Sequence, residues 1–234
     1  MANQKNTPLE RIVTRAPEGL LLAGITGLGY FSAYLSDVGY KSYFQIPSMY
    51  AEIHLTSVVL AVCVLIFTLS IAYLCISIPE FRQYGPLLFS VLIPLALAMI
   101  IGMKVRYSLS REHFGWLVFL FLIHSVLLYL FFYLVQKQKQ QTNWIAVTVL
   151  AGLLISVSYS SGTLIAKNQE YFLVSQGPSP LLIIDTYQDS MVVAPYNPKT
   201  KTITPKYRFV HLESDLNEKL SFSLKRTGPL NIKK

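Results

Sequence analysis

The chain has 234 residues, of which 53% are hydrophobic and only 14% charged, with a formal net charge of +8. A soluble domain carries about 25% charged residues, so this composition excludes a purely water-soluble protein, and two cysteines are too few for a disulfide-built secreted domain. The basic balance fits charge flanking a membrane or an anionic lipid surface, and nucleic acid is not the expected partner.

The shortage of charge is local. From Leu20 to Ala166 the ionisable residues cluster between apolar runs, whereas Lys167 to Lys234 has ten basic and six acidic residues in an ordinary soluble composition. The sequence therefore divides into a polar tail (1–18), a transmembrane part (19–166) and a small β-rich part (167–234). The tail carries Lys5, Arg11 and Arg15, but no small-residue cleavage site follows the next apolar run, so an uncleaved first span is expected.

The first run, Gly19 to Ser36, is near the minimum length for a span and rich in glycine; a re-entrant helix is the alternative. A loop with Tyr40, Tyr43, Phe44 and Tyr50 around Pro47 reads as an interfacial aromatic belt, with a lid or partner surface as the other reading. The second run, Ile53 to Ile78, ends at Pro79. A short loop, EFRQYG, leads to a third run, Pro86 to Met103, with Pro94 near its middle. The loop 104–113 carries Lys104, Arg106 and Arg111. A fourth run follows from Phe114 to Val135, then an aqueous loop, then a fifth run from Trp144 to Ala166. Cys63 and Cys75 share one run and, if it is helical, stand about 18 Å apart, beyond disulfide reach.

Beyond Lys167 the pattern alternates with period two. Strands are expected over Tyr171 to Val174, Leu181 to Tyr187, Met191 to Ala194, Thr202 to Leu212 (broken at Pro205) and Leu220 to Leu224, with turns at Gln188 to Ser190 and at Asn197 to Lys199. This predicts a helical membrane bundle of four to five spans followed by a small β domain, SH3-like or a curled sheet. At that size the sheet is expected to lean on the membrane part or on a neighbouring subunit.

Candidate chemistry is sparse. His124 is the one ionisable residue near the centre of a span; it is a relay or catalytic candidate, or a donor that glues helices together. Small residues at four-residue spacing (Ala23 and Gly27, Gly29 and Ala33, Gly152 and Ser156, Ser156 and Ser160) favour close helix packing within the chain or between copies, and a homo-oligomer is expected. GITGLG at Gly24 to Gly29 lacks a preceding strand and is no nucleotide loop. Asp185 and Asp189 are explained by the hairpin turn they bracket. Lys199, Lys201, Lys206 and Arg208 are candidate contacts to a protein partner or lipid phosphate, or edge-strand protection. No catalytic, cofactor or metal residues are assigned.

Basic residues nearly tie across the membrane. With five spans, Lys5, Arg11, Arg15, Arg82, Lys137 and Lys139 face Lys41, Lys104, Arg106, Arg111 and Lys167. If the first run does not cross, the balance favours both termini in the cytoplasm, and on that basis a cytoplasmic β domain is expected. The functional expectation is a non-enzymatic, bacterial-type inner-membrane protein serving as a sensor or docking scaffold through its β domain. The alternative is a pore-forming or membrane-disrupting effector of defence or stress, such as antiviral defence; a membrane-embedded enzyme is the third.

Overall fold

A computed structural model describes residues 18–105, 111–137, 140–176, 179–211 and 221–233. The tail residues Lys5, Arg11 and Arg15, and also Arg106, Lys139 and the expected strand start at Leu220, lie outside the described residues.

Among the described residues, five α-helices come first: α1 (Glu18–Tyr43), α2 (Leu55–Ser77), α3 (Pro79–Lys104), α4 (Arg111–Gln136) and α5 (Gln140–Asn168), with a short 3-10 turn at Ser48–Tyr50. Among the described residues four segments are long and apolar enough to cross a bilayer: Leu55–Ser77, Pro79–Met103, Phe114–Gln136 and Trp144–Asn168. The chain is thus a multi-pass membrane protein. The expected loop after Pro79 is absent. Proline lacks the N–H that a first helical turn leaves unpaired anyway, and its fixed φ suits that turn. EFRQYG therefore forms the opening turns of α3. Helix α1 runs two turns beyond Ser36, taking in Asp37 and Lys41 as an i, i+4 pair.

The chain forms two compact units. One holds α1 up to Leu35, Ile53–Met99 and Trp116–Tyr159. Its core joins Ile71, Ala72 and Cys75 of α2, Ile93 of α3, Leu128, Phe131 and Phe132 of α4, and Ala146 and Leu153 of α5. Close approaches fix neighbouring helices. A Cβ on Gly29 of α1 would collide with Val62 of α2, and one on Gly85 of α3 would come within 2.7 Å of the Cys75 sulfur. Gln136 Nε2 donates to the carbonyls of Cys75 (3.3 Å) and Arg82 (3.0 Å), tying the end of α4 to the turn between α2 and α3.

The other unit combines Ser36–Glu52, Ile100–Gly115 and Ser160–Lys234. Its sheet has β1 (Tyr171–Ser175), β2 (Leu181–Tyr187), β3 (Ser190–Asn197), β4 (Thr202–Ile203), β5 (Arg208–His211), β6 (Phe222–Arg226) and β7 (Asn231–Ile232) in the order β6-β1-β2-β3-β4-β7. All ladders are antiparallel except β4 with β7. Along one edge, β3 pairs first with β5 (Ser190 to Val193) and then with β4 (Tyr196 and Asn197). Pro195, which has no N–H to give, lies between the two ladders. The expected strand 202–212 is divided into β4 and β5, with Pro205 in the break. The β2–β3 turn puts Gln188 at φ 50°, the left-handed value that a tight hairpin needs at its first central residue.

The inner face of the sheet does not close on itself. Phe172, Val174, Leu182, Ile184, Val192, Ala194 and Ile203 share one core with Leu230, with Ala166 at the end of α5, and with Phe44 and Ile46 just after α1. Phe44 is fully buried there and meets Phe172 edge-on at 6.4 Å. The aromatic cluster read as an interfacial belt is in fact one wall of this core, with Tyr40, Tyr43 and Tyr50 packed around it.

Candidate functional site

The most unusual chemistry lies where the end of α1 meets the sheet. Asp37, Tyr40 and Lys41 lie on the last turns of α1, and Asp185 comes from β2. In β2 the inward and outward alternation is interrupted: Ile183 pairs with Val193, but Asp185 pairs with Val192. This bulge inserts one extra residue, so that Ile184 and Asp185 both reach the inner side. Without it, Asp185 would face away from the helix.

Lys41 is completely buried. Its Nζ is 2.6 Å from Asp37 Oδ2 and 2.8 Å from Asp185 Oδ2. The first is a hydrogen bond within the helix; the second is an ionic contact, since Asp185 Oδ2 takes part in no well-aligned hydrogen bond. Asp37 Oδ2 also accepts from the Glu52 backbone N–H at 2.9 Å. Burial alone would lower the ammonium pKa, but the two carboxylates outweigh it and hold the pKa above the ordinary lysine value. Beside them the Tyr40 hydroxyl donates to the Ile184 carbonyl (2.9 Å), with Gln169 Oε1 as a second acceptor within reach of the same hydrogen at 3.2 Å. Burial, then the charges of Asp185 and Asp37, push the Tyr40 pKa well up, so this phenol stays a donor.

Two further tyrosines complete the seam. Tyr43 donates to the Leu230 carbonyl at 2.7 Å, and Tyr207 donates to the Phe44 carbonyl. Burial raises the Tyr207 pKa to about 12. Glu52 accepts from the Gln188 N–H of the hairpin turn at 3.1 Å. The last turns of α1 and the segment after them are thus held to the sheet and its loops by hydrogen bonds, ionic contacts and aromatic packing within one unit.

The residues singled out from sequence fall in three places. His124, buried on α4, puts Nε2 3.0 Å from Ser156 Oγ on α5, the interhelical hydrogen bond expected of a helix-gluing histidine. Lys199 and Lys201 are exposed at the turn between β3 and β4, where Lys201 has φ 53°. Lys206 and Arg208 are exposed before and within β5. None of these four belongs to the buried Lys41 cluster. Sequence reasoning passed over Lys41, Asp37 and the inward role of Asp185. A signal existed: a lone aspartate follows the apolar run LLII, and an i, i+4 Asp–Lys pair follows the first apolar run. Asp185 belongs to the joint with Lys41, and the hairpin turn alone does not explain it.

No protein-family model matches the chain, and neither a curated protein nor a solved structure resembles it.

Proposed function

We propose that this chain is a non-enzymatic membrane protein that works as a membrane-anchored sensor or docking scaffold, with its β-rich unit as the receiving surface. The observation that carries this reading is Lys41, buried between a carboxylate of helix α1 and a carboxylate of strand β2. A module joined in this way passes any shift of the sheet directly to α1. A merely tethered domain would need only a polar linker. The expected partner is a protein that reads the exposed basic positions Lys199, Lys201, Lys206 and Arg208; its acidic groups would give the contact a salt-dependent component.

The test is recovery of cross-linked partners from native membranes in two forms of the chain. Reversing charge at Lys199, Lys201 and Lys206 to Glu is expected to weaken capture, and more so at low salt. Removing residues 169–234 is expected to abolish it while leaving the spans inserted. The charge reversal is the cleaner arm, because deletion also strips Phe44 and Ile46 of their core. Undiminished capture and undiminished activity in cells from the reversed form would overturn the reading of these positions.

A further inference from the structure

We infer that α1 is a fifth membrane crossing, so that the β-rich unit lies on the face opposite the start of α1, and that this face is the extracytoplasmic one.

The crossing follows from the direction of packing. Ser32 Oγ meets Ser158 Oγ at 2.7 Å, Ser36 Oγ meets Ser161 Oγ at 3.3 Å, and Thr163 Oγ1 donates to the Gly39 carbonyl at 3.2 Å. The sequence separations are 126, 125 and 124. A nearly constant difference marks two helices running side by side in the same direction; an antiparallel pair would keep a constant sum. Backbones touch along this line, for a Cβ on Gly162 would overlap the Ser36 carbonyl. Since α5 is a span, its parallel partner crosses with it through Gly19 to Ser36, about 27 Å of helix, and the last turns of this 26-residue helix, Asp37 to Tyr43, emerge beyond the bilayer. The stretch Gly19 to Ser36 carries no Asp, Glu, Lys, Arg or His.

The other contacts agree. Gly29 lies against Val62 and Gly85 against Cys75, and His124 bonds Ser156. Each pair brings two consecutive helices into contact. Alternating five helices returns α5 to the direction of α1, as observed. Ser36, Gly39 and Tyr40 bond residues 161, 163 and 169 within one compact unit; these two helix ends share a face with either four or five crossings, so the parallel run back to Ser32 and Ser158 is what carries the fifth.

This also changes the charge balance. With α1 crossing, Lys5, Arg11, Arg15, Arg82, Lys137 and Lys139 share one face. On the other, Lys41 is sequestered between Asp37 and Asp185, leaving Lys104, Arg106, Arg111 and Lys167. Six against four puts the start of α1 in the cytoplasm. The cytoplasmic β domain expected from sequence required a first run that does not cross. This inference is independent of the docking reading and stands or falls on sidedness alone.

The experiment compares two labelling sites in sealed right-side-out membranes, on a chain with Cys63→Ser and Cys75→Ser. A membrane-impermeant maleimide is expected to label Lys199→Cys in intact vesicles, and Thr7→Cys only after permeabilisation. Both sites labelled on one face would overturn the fifth crossing. Label at Thr7→Cys alone in intact vesicles would overturn the orientation. Epitope tags at the two ends, probed with antibody before and after permeabilisation, cover the case in which either cysteine chain fails to assemble: the C-terminal tag is expected to react before permeabilisation and the N-terminal tag only after it, and two tags reacting together, or the N-terminal tag alone reacting first, would overturn the inference.

Discussion

Replacing Lys41 by methionine removes a cation while keeping nearly the same stem. In the folded protein Nζ lies 2.6 Å from one carboxylate and 2.8 Å from another and is fully buried. Its loss leaves two largely buried acids facing each other with no counter-charge. Breaking a buried pair from one side costs about 3–5 kcal/mol. At roughly 2–4 °C per kcal/mol for a chain of this size, the melting temperature of the detergent-solubilised protein should fall by about 6–20 °C. Asp185→Ala should cost less, about 1–3 kcal/mol, because Asp37 still balances the lysine. The double variant Lys41→Met/Asp185→Leu should recover part of the loss, with a coupling of about 1–3 kcal/mol. The pH dependence has a definite sign. Lys41 has a folded pKa above its ordinary 10.5. The stabilisation is therefore fully present below that value and is lost only as pH rises through the folded pKa. The gap between wild type and Lys41→Met should stay flat from neutral pH to about 10 and close above it. A Lys41→Met protein that melts within about 2 °C of wild type, with the tyrosine fluorescence of the seam unchanged, would refute the assignment of Lys41 as the joint.

Three other outcomes are expected. Gly162→Ala should force the backbones of α1 and α5 apart, costing about 1–3 kcal/mol or more; Gly152→Ala, where a Cβ would meet nothing within 4 Å, should be nearly silent in the same melt. His124→Gln should assemble normally and lose no more than about 1–2 kcal/mol, and complete loss of activity in well-assembled protein would restore a relay or catalytic role. Tyr207→Phe should cost about 1 kcal/mol. Because the Tyr207 phenol sits at about 12 in the fold, above its ordinary 10.0, wild type should lose that contribution between those two values as the unfolded phenol ionises first. An alkaline melting series on both proteins checks this.

The membrane runs could be read from sequence because a span is defined by length and apolarity, both local quantities. Strand β2 was placed from Leu181 to Tyr187, as observed, because its β-branched run and its turn are equally local. Pro79 misled because the same residue that ends one helix can open the next, and only the adjoining backbone decides. The strands β4 and β7, each two residues long, leave too little alternation to read. The joint was hidden for a different reason. Lys41 and Asp185 are distant in sequence, and each has a bland local explanation, one as flanking charge and the other as a turn residue. Their meeting depends on a bulge that shifts Asp185 by one position, which no periodicity announces. Likewise Tyr40, Tyr43 and Phe44 have the composition of an interfacial belt, and only the packed sheet shows that they close its core.

The central claim is that the β-rich unit receives the partner while the helices hold it in the bilayer. The most direct measurement is site-specific photocross-linking in living cells, with the reactive side chain placed in turn at exposed β positions (Lys199, Leu224) and at exposed helix positions (Leu122, Val126). The account predicts a discrete protein adduct from the β positions that weakens when Lys201 and Lys206 are reversed to Glu, and only lipid or self-adducts from the helices. A discrete partner captured from Leu122 or Val126, with none from Lys199 or Leu224, would contradict it.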